Sequence, residues 1–421
     1  MSDGDGASKL LRMVVGAIIL LIIAAGINLL SRRTPSPPTP KAMPAITSAT
    51  KPRAAVAQPP AAPKTIESVT KSPDATLEFC GLGKVTVDAD DPLAAYRYLE
   101  GVTHGAAQRW LSALLNSDDT RARVAGLILE GKISQENLAV HPMKEQNRDE
   151  LVALAVGAGD PALYAMALAT CGAYSTPQGG ACQQVSPAAW AELDPDNAMP
   201  WMLLAGKAQA RNDTKAASDY FDRAAKAKKA DSYIDELFAF SEQEMPNDIS
   251  ALDRWYLTVQ SLGVGAAMVA PFAPALRHCS GAALLDDQVR GQCGAVAELM
   301  VSGSPTLLEY SLGVSLGTHT GWSPTRVREL TEQRDAWMQV GISDADTNGK
   351  GDWSCAAVEE NNTRMRRHVQ VGELAALREQ LEASGKTVSE LAQKHREWLE
   401  KMQQRNALAA PAEQEESTPV P

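Results

Sequence analysis

The chain is 421 residues long, 44% hydrophobic but only 5% aromatic, with 51 acidic against 40 basic side chains and a formal net charge of −11. An acidic balance of this size argues against nucleic acid as a partner, because phosphate binding needs a basic surface. Length allows two cores or one extended array in addition to terminal segments.

Residues 1–12 form a short polar tail, followed by Met13–Leu30, in which only Asn28 is strongly polar. Eighteen helical residues span roughly 27 Å, near the lower limit for a bilayer core of about 30 Å. A cleaved signal peptide is the competing reading. Its apolar core is normally shorter and ends in a small-x-small site, whereas here Ala24-Ala25-Gly26 lies inside the run. An uncleaved single-pass anchor at 13–30 is therefore expected.

Residues 31–75 hold ten of the 25 prolines and almost no large apolar side chain, so this stretch is expected to be a disordered stalk. The first thirty residues are neutral and the stalk carries a net +5, leaving −16 on the remainder of a chain whose total is −11. A basic stalk suits weak attraction to anionic lipid headgroups.

Orientation is argued two ways. Lys9 and Arg12 face Asp3 and Asp5 on one flank, while Arg32, Arg33 and Lys41 lie on the other. Counted strictly, the positive-inside rule puts the body in the cytoplasm. The six cysteines (Cys80, Cys171, Cys182, Cys279, Cys293 and Cys355) point to an oxidising compartment. Cys171 and Cys182 bracket a flexible loop, Cys279 and Cys293 lie one short helix apart, and Cys80 and Cys355 remain near the ends of the body. Six cysteines allow fifteen connectivities, and six buried thiols are the alternative. The cysteines are given the greater weight: an inner-membrane protein with a periplasmic body is expected.

The body reads as helical nearly throughout, with Ala/Leu-rich periodicity at Val102–Leu115, Arg121–Leu129, Leu151–Val156 and Pro161–Thr170. Ser250–Val269, Leu284–Val301, Thr306–Leu316 and Ser323–Val340 follow in the second half. From Val371 to Met402 the pattern is a helical hairpin broken at Gly385. Strand signal is confined to about Lys84–Val87. The expected fold class is all-α, with a helical repeat lobe over 76–245, a second helical lobe over 246–342, a loop and C-terminal hairpin over 343–405, and a disordered tail over 406–421.

One segment carries a pattern of its own. Trp201, Leu204, Ala205, Ala217, Phe221 and Ala224 stand at fixed offsets, with Pro195 ahead of them. Residues 195–229 thereby resemble a tetratricopeptide repeat, departing from its pattern at Ala208, where an aromatic is usual, and at Lys229, where the next proline should fall. The resemblance implies an irregular stack of antiparallel helix pairs, an α-solenoid, because one repeat cannot bury its faces alone. Asp119, Asp160 and Asp196 recur at offsets of 41 and 36 as candidate helix starts. The resemblance also implies that Met199, Met202, Gly206 and Gln209 line a concave face. A methionine-lined face suits an apolar protein or peptide partner.

Chemical motifs are sparse. Gly313-Val-Ser315-Leu-Gly317 has the letters of a hydrolase nucleophile elbow but sits in a helical pattern, and its glycines read better as a close helix approach. Asp344, Asp346, Asn348 and Asp352 match four oxygen positions of an EF-hand-type calcium loop, yet Cys355 stands where a bidentate Glu belongs, and a polar loop gives the same letters. His278, Cys279 and Cys293 are one ligand short of a zinc site, and Arg364, Arg366, Arg367 and His368 read as one solvated helix face. No cofactor and no catalytic residue is expected. The expected role is a membrane-anchored scaffold for protein–protein interaction at a bacterial-type envelope. The alternatives are a structural subunit docked through its C-terminal hairpin and an envelope hydrolase using Ser315.

Overall fold

The computed structural model describes residues 74–88, 94–133, 143–172, 179–268, 273–341 and 353–409. The candidate anchor 13–30, nearly all of the stalk, the calcium-type loop 344–352 and the end of the tail lie outside these. Among the described residues, no helix is long and apolar enough to cross a membrane.

The body is all-α apart from one antiparallel hairpin, β1 (Asp74–Phe79) and β2 (Gly83–Asp88). The sequence shows β2 but not β1, whose first residues overlap the stalk composition. Among the described residues sixteen α-helices follow: α1 (Ala94–Leu115), α2 (Thr120–Ile133), α3 (Glu145–Ala158), α4 (Pro161–Thr170), α5 (Pro187–Leu193), α6 (Ala198–Ala210), α7 (Thr214–Ala225) and α8 (Glu236–Glu242) form the first half. The second half holds α9 (Ala251–Ala267), α10 (Ala273–His278), α11 (Asp287–Gly303), α12 (Leu307–His319), α13 (Pro324–Gly341), α14 (Cys355–Val371), α15 (Glu373–Ala383) and α16 (Val388–Ala409). The tail expected from 406 begins no earlier than the end of α16 at Ala409.

Local chemistry explains the helix starts. Asp160 accepts from the Ala162 N–H with Pro161 in the first turn, Ser186 caps α5 ahead of Pro187, and Asp213, Ser250 and Asp286 do the same for α7, α9 and α11. Each such cap satisfies an N–H that would otherwise lack a partner, contributing about 1 kcal/mol. Asp119 likewise accepts from Arg121 and Ala122. The third candidate start is one residue off: α6 is capped by Asn197, while Asp196 pairs with Lys228.

Consecutive helices pack on one another from α1 to α7, as helix pairs must when each has an apolar face to cover. After α7 the order breaks. α7 packs next on α11, followed by α12, α13, α15, α14 and α9, and α9 returns to α1. The sequence of neighbours closes on itself, whereas an open solenoid leaves its two ends apart. α4, buried from Ala162 through Leu168, is apolar on every side because it is covered on every side. A main core runs from Phe79 to Val358, and a smaller one gathers Tyr310, Val314, Trp337, Leu374 and Leu377.

Three disulfides clamp this arrangement: Cys80–Cys355, Cys171–Cys182 and Cys279–Cys293. They are the pairs that proximity along the chain suggests for the two local ones and that remain by elimination for the third. At Cys80–Cys355 the β-hairpin is fastened to the start of α14, the Cys80 N–H donates to the Trp353 carbonyl, and Trp353 packs on Phe79 and Trp255.

Loop-closure entropy predicts unequal contributions from these bonds. Cys80–Cys355 spans 275 residues and Cys171–Cys182 only 11. Replacing the first pair by Ser is expected to cost roughly 5 kcal/mol and the second about 3 kcal/mol. Denaturant midpoints of the two double variants under non-reducing conditions check the order; equal losses contradict it.

Candidate functional site

The segment that resembles a repeat folds as the antiparallel pair α6–α7. Ala205, Ala217, Phe221 and Ala224 are fully buried where the two helices meet. Trp201 and Leu204 are half-buried, and the indole N–H of Trp201 donates to the carbonyl of exposed Pro195 at 3.0 Å. The Trp201 ring stacks on Tyr220 at 6.4 Å, with the Arg223 guanidinium 4.8 Å from its centroid.

The residues expected to line a binding face are placed differently. Met199 and Met202 are 0% and 2% exposed and belong to the main core, since α6 is wedged among α5, α7 and α10. Gly206 is buried as well; Gln209, near the helix end, is half-buried. The sequence pattern marks these positions as one helix face but carries no sign that α10, more than sixty residues later, covers it.

The other motifs resolve into packing. Ser315 lies in mid-helix in α12, not at a strand-to-helix turn. A side chain at Gly313 would meet Met300 Cβ at 2.7 Å, and one at Gly317 would meet the Trp322 ring, so both glycines permit close packing. Cys279 and Cys293 spend their sulfurs on each other, and His278 stacks on Phe221 at 4.3 Å, which dissolves the zinc-like grouping. Arg364 pairs with Glu360 and Arg367 with Glu379, while burial lowers His368 to about 4. Among the described residues no group of His, Cys, Asp or Glu has a metal-holding arrangement. The candidate calcium loop lies outside them.

Polar chemistry concentrates instead where the chain leaves α7, at Lys229–Glu236. The Lys229 carbonyl accepts from the Ala198 N–H, its own N–H donates to the Asp196 carbonyl, and its ammonium lies 3.2 Å from Asp194. A proline at 229 would lose that N–H, which accounts for one departure from the repeat pattern. Asn197 is fully buried and uses its whole amide: it donates to Asp194 and to the Asp231 carbonyl, and accepts from the Met199 and Asp231 N–H groups. Tyr233, held at φ 58°, donates its hydroxyl to Asp194 at 2.7 Å and its N–H to Asp231.

The same segment meets the second half of the chain through carboxylates. Glu309 of α12, 0% exposed, accepts from the Ser232 N–H at 2.7 Å and from its hydroxyl at 2.5 Å. Half-buried Glu373, at the start of α15, accepts from the Leu307 N–H at the start of α12. Burial pushes the Glu309 carboxyl up to about 8, against the pull of Ser232 and with the added push of Asp231 and Asp235. Glu373 is raised to about 7, chiefly by burial, and Asp231 and Asp235 each to about 6 for the same reason. Sequence inspection offers one clue to this junction: Thr306 and Glu309 have capping-box spacing. The partner Ser232, 77 positions away, carries none.

No family model matches this chain, and neither the curated proteins nor the solved structures contain a match.

Asn197→Ala removes the amide partner of the Met199 N–H and of the Asp231 N–H and carbonyl, while Asp194 keeps Tyr233 and Lys229, so a loss of about 3 kcal/mol is expected. Asp196→Ala breaks an exposed ion pair and is expected to cost under about 0.5 kcal/mol. Urea unfolding of both variants checks the contrast; if Asp196 proves the costlier position, Asn197 is not the anchor of this junction.

Proposed function

We propose that the chain is a membrane-tethered scaffold of a bacterial-type envelope, whose disulfide-clamped helical body engages a protein partner in an oxidising, periplasm-like compartment. The observation that carries this reading is the α6–α7 pair, with small Ala205, Ala217 and Ala224 and the ring of Phe221 buried between its helices, which suits the resemblance of this segment to a tetratricopeptide repeat. Three disulfides favour the compartment. The anchor 13–30 and basic stalk would hold the body near the membrane, raising its effective concentration for partners there.

With both methionines in the core, the surface this pair offers is the Trp201–Tyr220–Arg223 group. Trp, Tyr and Arg are the side chains that most often dominate interface energetics. The partner class is thereby a protein segment able to pack on an indole edge and pair with an arginine.

A second reading, an assembly subunit docked by its C-terminal hairpin, draws on the attachment of α16, which packs chiefly on α13. Its sister α15 contributes Leu374 and Leu377 to the small core, so removing the whole hairpin would also damage the fold.

Two measurements on the protein in its membrane separate these readings. A photo-crosslinker at Arg223 is expected to give a discrete protein adduct that the same group at exposed Glu382 does not; equal labelling at both contradicts the scaffold face. Truncation before Val388 is expected to retain that adduct, whereas loss of the assembly with the fold intact favours the subunit. A free-thiol count on the same material is expected to give none; free cysteines would withdraw the oxidising compartment.

A further inference from the structure

The two cores meet along α12. Leu308, Leu312 and Leu316 pack toward the main core and Tyr310 and Val314 belong to the smaller one. The Ser304 hydroxyl donates to the Ala230 carbonyl and the Leu374 N–H to the Pro305 carbonyl, so the turn before α12 is tied to both sides. Glu309 sits at this crossing. Its hydrogen-bond partners are all uncharged: the Ser232 N–H and hydroxyl on one oxygen and the Thr306 hydroxyl, at 3.1 Å, on the other.

We propose that the contact between α12 and the Lys229–Glu236 segment is a proton-dependent joint, closed while Glu309 carries a proton and loosened when that proton leaves to solvent.

The hydrogen bonding supports both halves of this cycle. Serine and threonine hydroxyls donate or accept as required, so a protonated Glu309 can donate to Thr306 while still accepting from Ser232. An ionised Glu309 keeps its donors but has no counter-charge. The groups facing it from the segment are Asp231 and Asp235, both acidic. α8 adds Glu236, which has Arg121 of α2 as its attractive neighbour, while that arginine hydrogen-bonds Asp160. Lys229, the cation of the segment, is held by Asp194 and Tyr233. α15 brings Glu373, and its Arg378 lies over Trp337. Arg334 of α13 is taken by Asp335 beside it, and Arg326 of the same helix pairs with Glu298 of α11. Burying an unpaired carboxylate among other carboxylates is costly, and the strain is relieved by admitting water, which means opening the contact.

The direction follows from linkage. Glu309 and Glu373 are raised above their ordinary value, to about 8 and about 7, so the closed form binds more protons than the open form across neutral pH. Closure is complete in mild acid and is lost as pH rises through those values. The joint therefore responds near neutrality, where an ordinary glutamate is already ionised.

Hydrogen exchange on the full chain, disulfides intact and corrected for intrinsic rates, reads the joint directly. Between about pH 6 and about pH 8.5, amides of 230–236 and 305–312 are expected to lose roughly tenfold or more of their protection, while those of 162–168 keep theirs. Glu309→Gln, neutral at position 309 at every pH, is expected to lose distinctly less protection than the wild type, the remaining loss coming from Glu373. Unchanged protection in the wild type, or a loss in Glu309→Gln that parallels it, overturns the proposal. Should the variant fail to fold, infrared titration of the wild type decides. A buried protonated-carboxyl band persisting to about pH 8, above the range of Glu373, sustains the joint, and its disappearance below that range overturns it.

Discussion

The architecture depends on burying one irregular stretch of backbone. Between α7 and α8 the chain does not turn back into another helix pair but runs among helices of both halves. A buried backbone without a ladder must find every hydrogen-bond partner individually. Lys229–Glu236 finds them in the cap of α6, in Asn197 and in Glu309, and a side chain at Gly265 would lie 2.8 Å from the Ile234 carbonyl. Glycine at 265 is what lets α9 come that close, and through α9 the stack reaches α1 again. The polar junction thus adds directional bonds to the apolar contacts and the Cys80–Cys355 bridge that join the helices before and after it.

How much of this was legible follows from distance along the chain. Helix class was readable because its cause is local: apolar periodicity, with Asp160-Pro161 or Ser186-Pro187 opening a helix wherever a cap was needed. Two disulfides were suggested by spacing, and the third followed from what was left over. The helix pair at 198–225 was legible through small residues at its crossing. What failed was which side of that pair would be covered. Met199 and Met202 occupy positions that an open array exposes, but α10 arrives from a distant part of the sequence and buries them. The junction was equally hidden: Ser232, Glu309 and Glu373 are ordinary residues whose meaning arises only from being brought together.

The two cores are specified by different means. In the main core Trp110 and Trp190 fill space, and the Trp110 indole also donates to the Ser241 carbonyl at 2.9 Å. Apolar fit of this kind is tolerant of small displacements. The junction is not, because each carboxylate and amide there has few partners and each partner serves two elements at once. Asn197 caps α6 while binding the Asp231 backbone; Glu373 opens α15 while accepting from the first residue of α12. Shared partners of this sort couple the elements they join more strictly than apolar contact alone.

The C-terminal end shows what happens where that economy is missing. α16 lays Leu391, His395, Trp398 and Met402 along α13, yet His395 Nδ1, Trp398 Nε1, Gln339 Oε1 and Trp337 Nε1 are buried without a partner. Burial drives the His395 ring down to about 4, so it enters the interface neutral, with Asp335 committed to Arg334 rather than to it. Each orphaned group subtracts from the contact that its neighbouring leucine or tryptophan provides. The apolar stripe therefore holds α16 against a set of polar costs, whereas the Lys229–Glu236 junction holds its helices by having almost none. Two buried polar interfaces in one chain thus differ in kind, the central one held by satisfied hydrogen bonds and the terminal one by extensive apolar packing around unsatisfied groups.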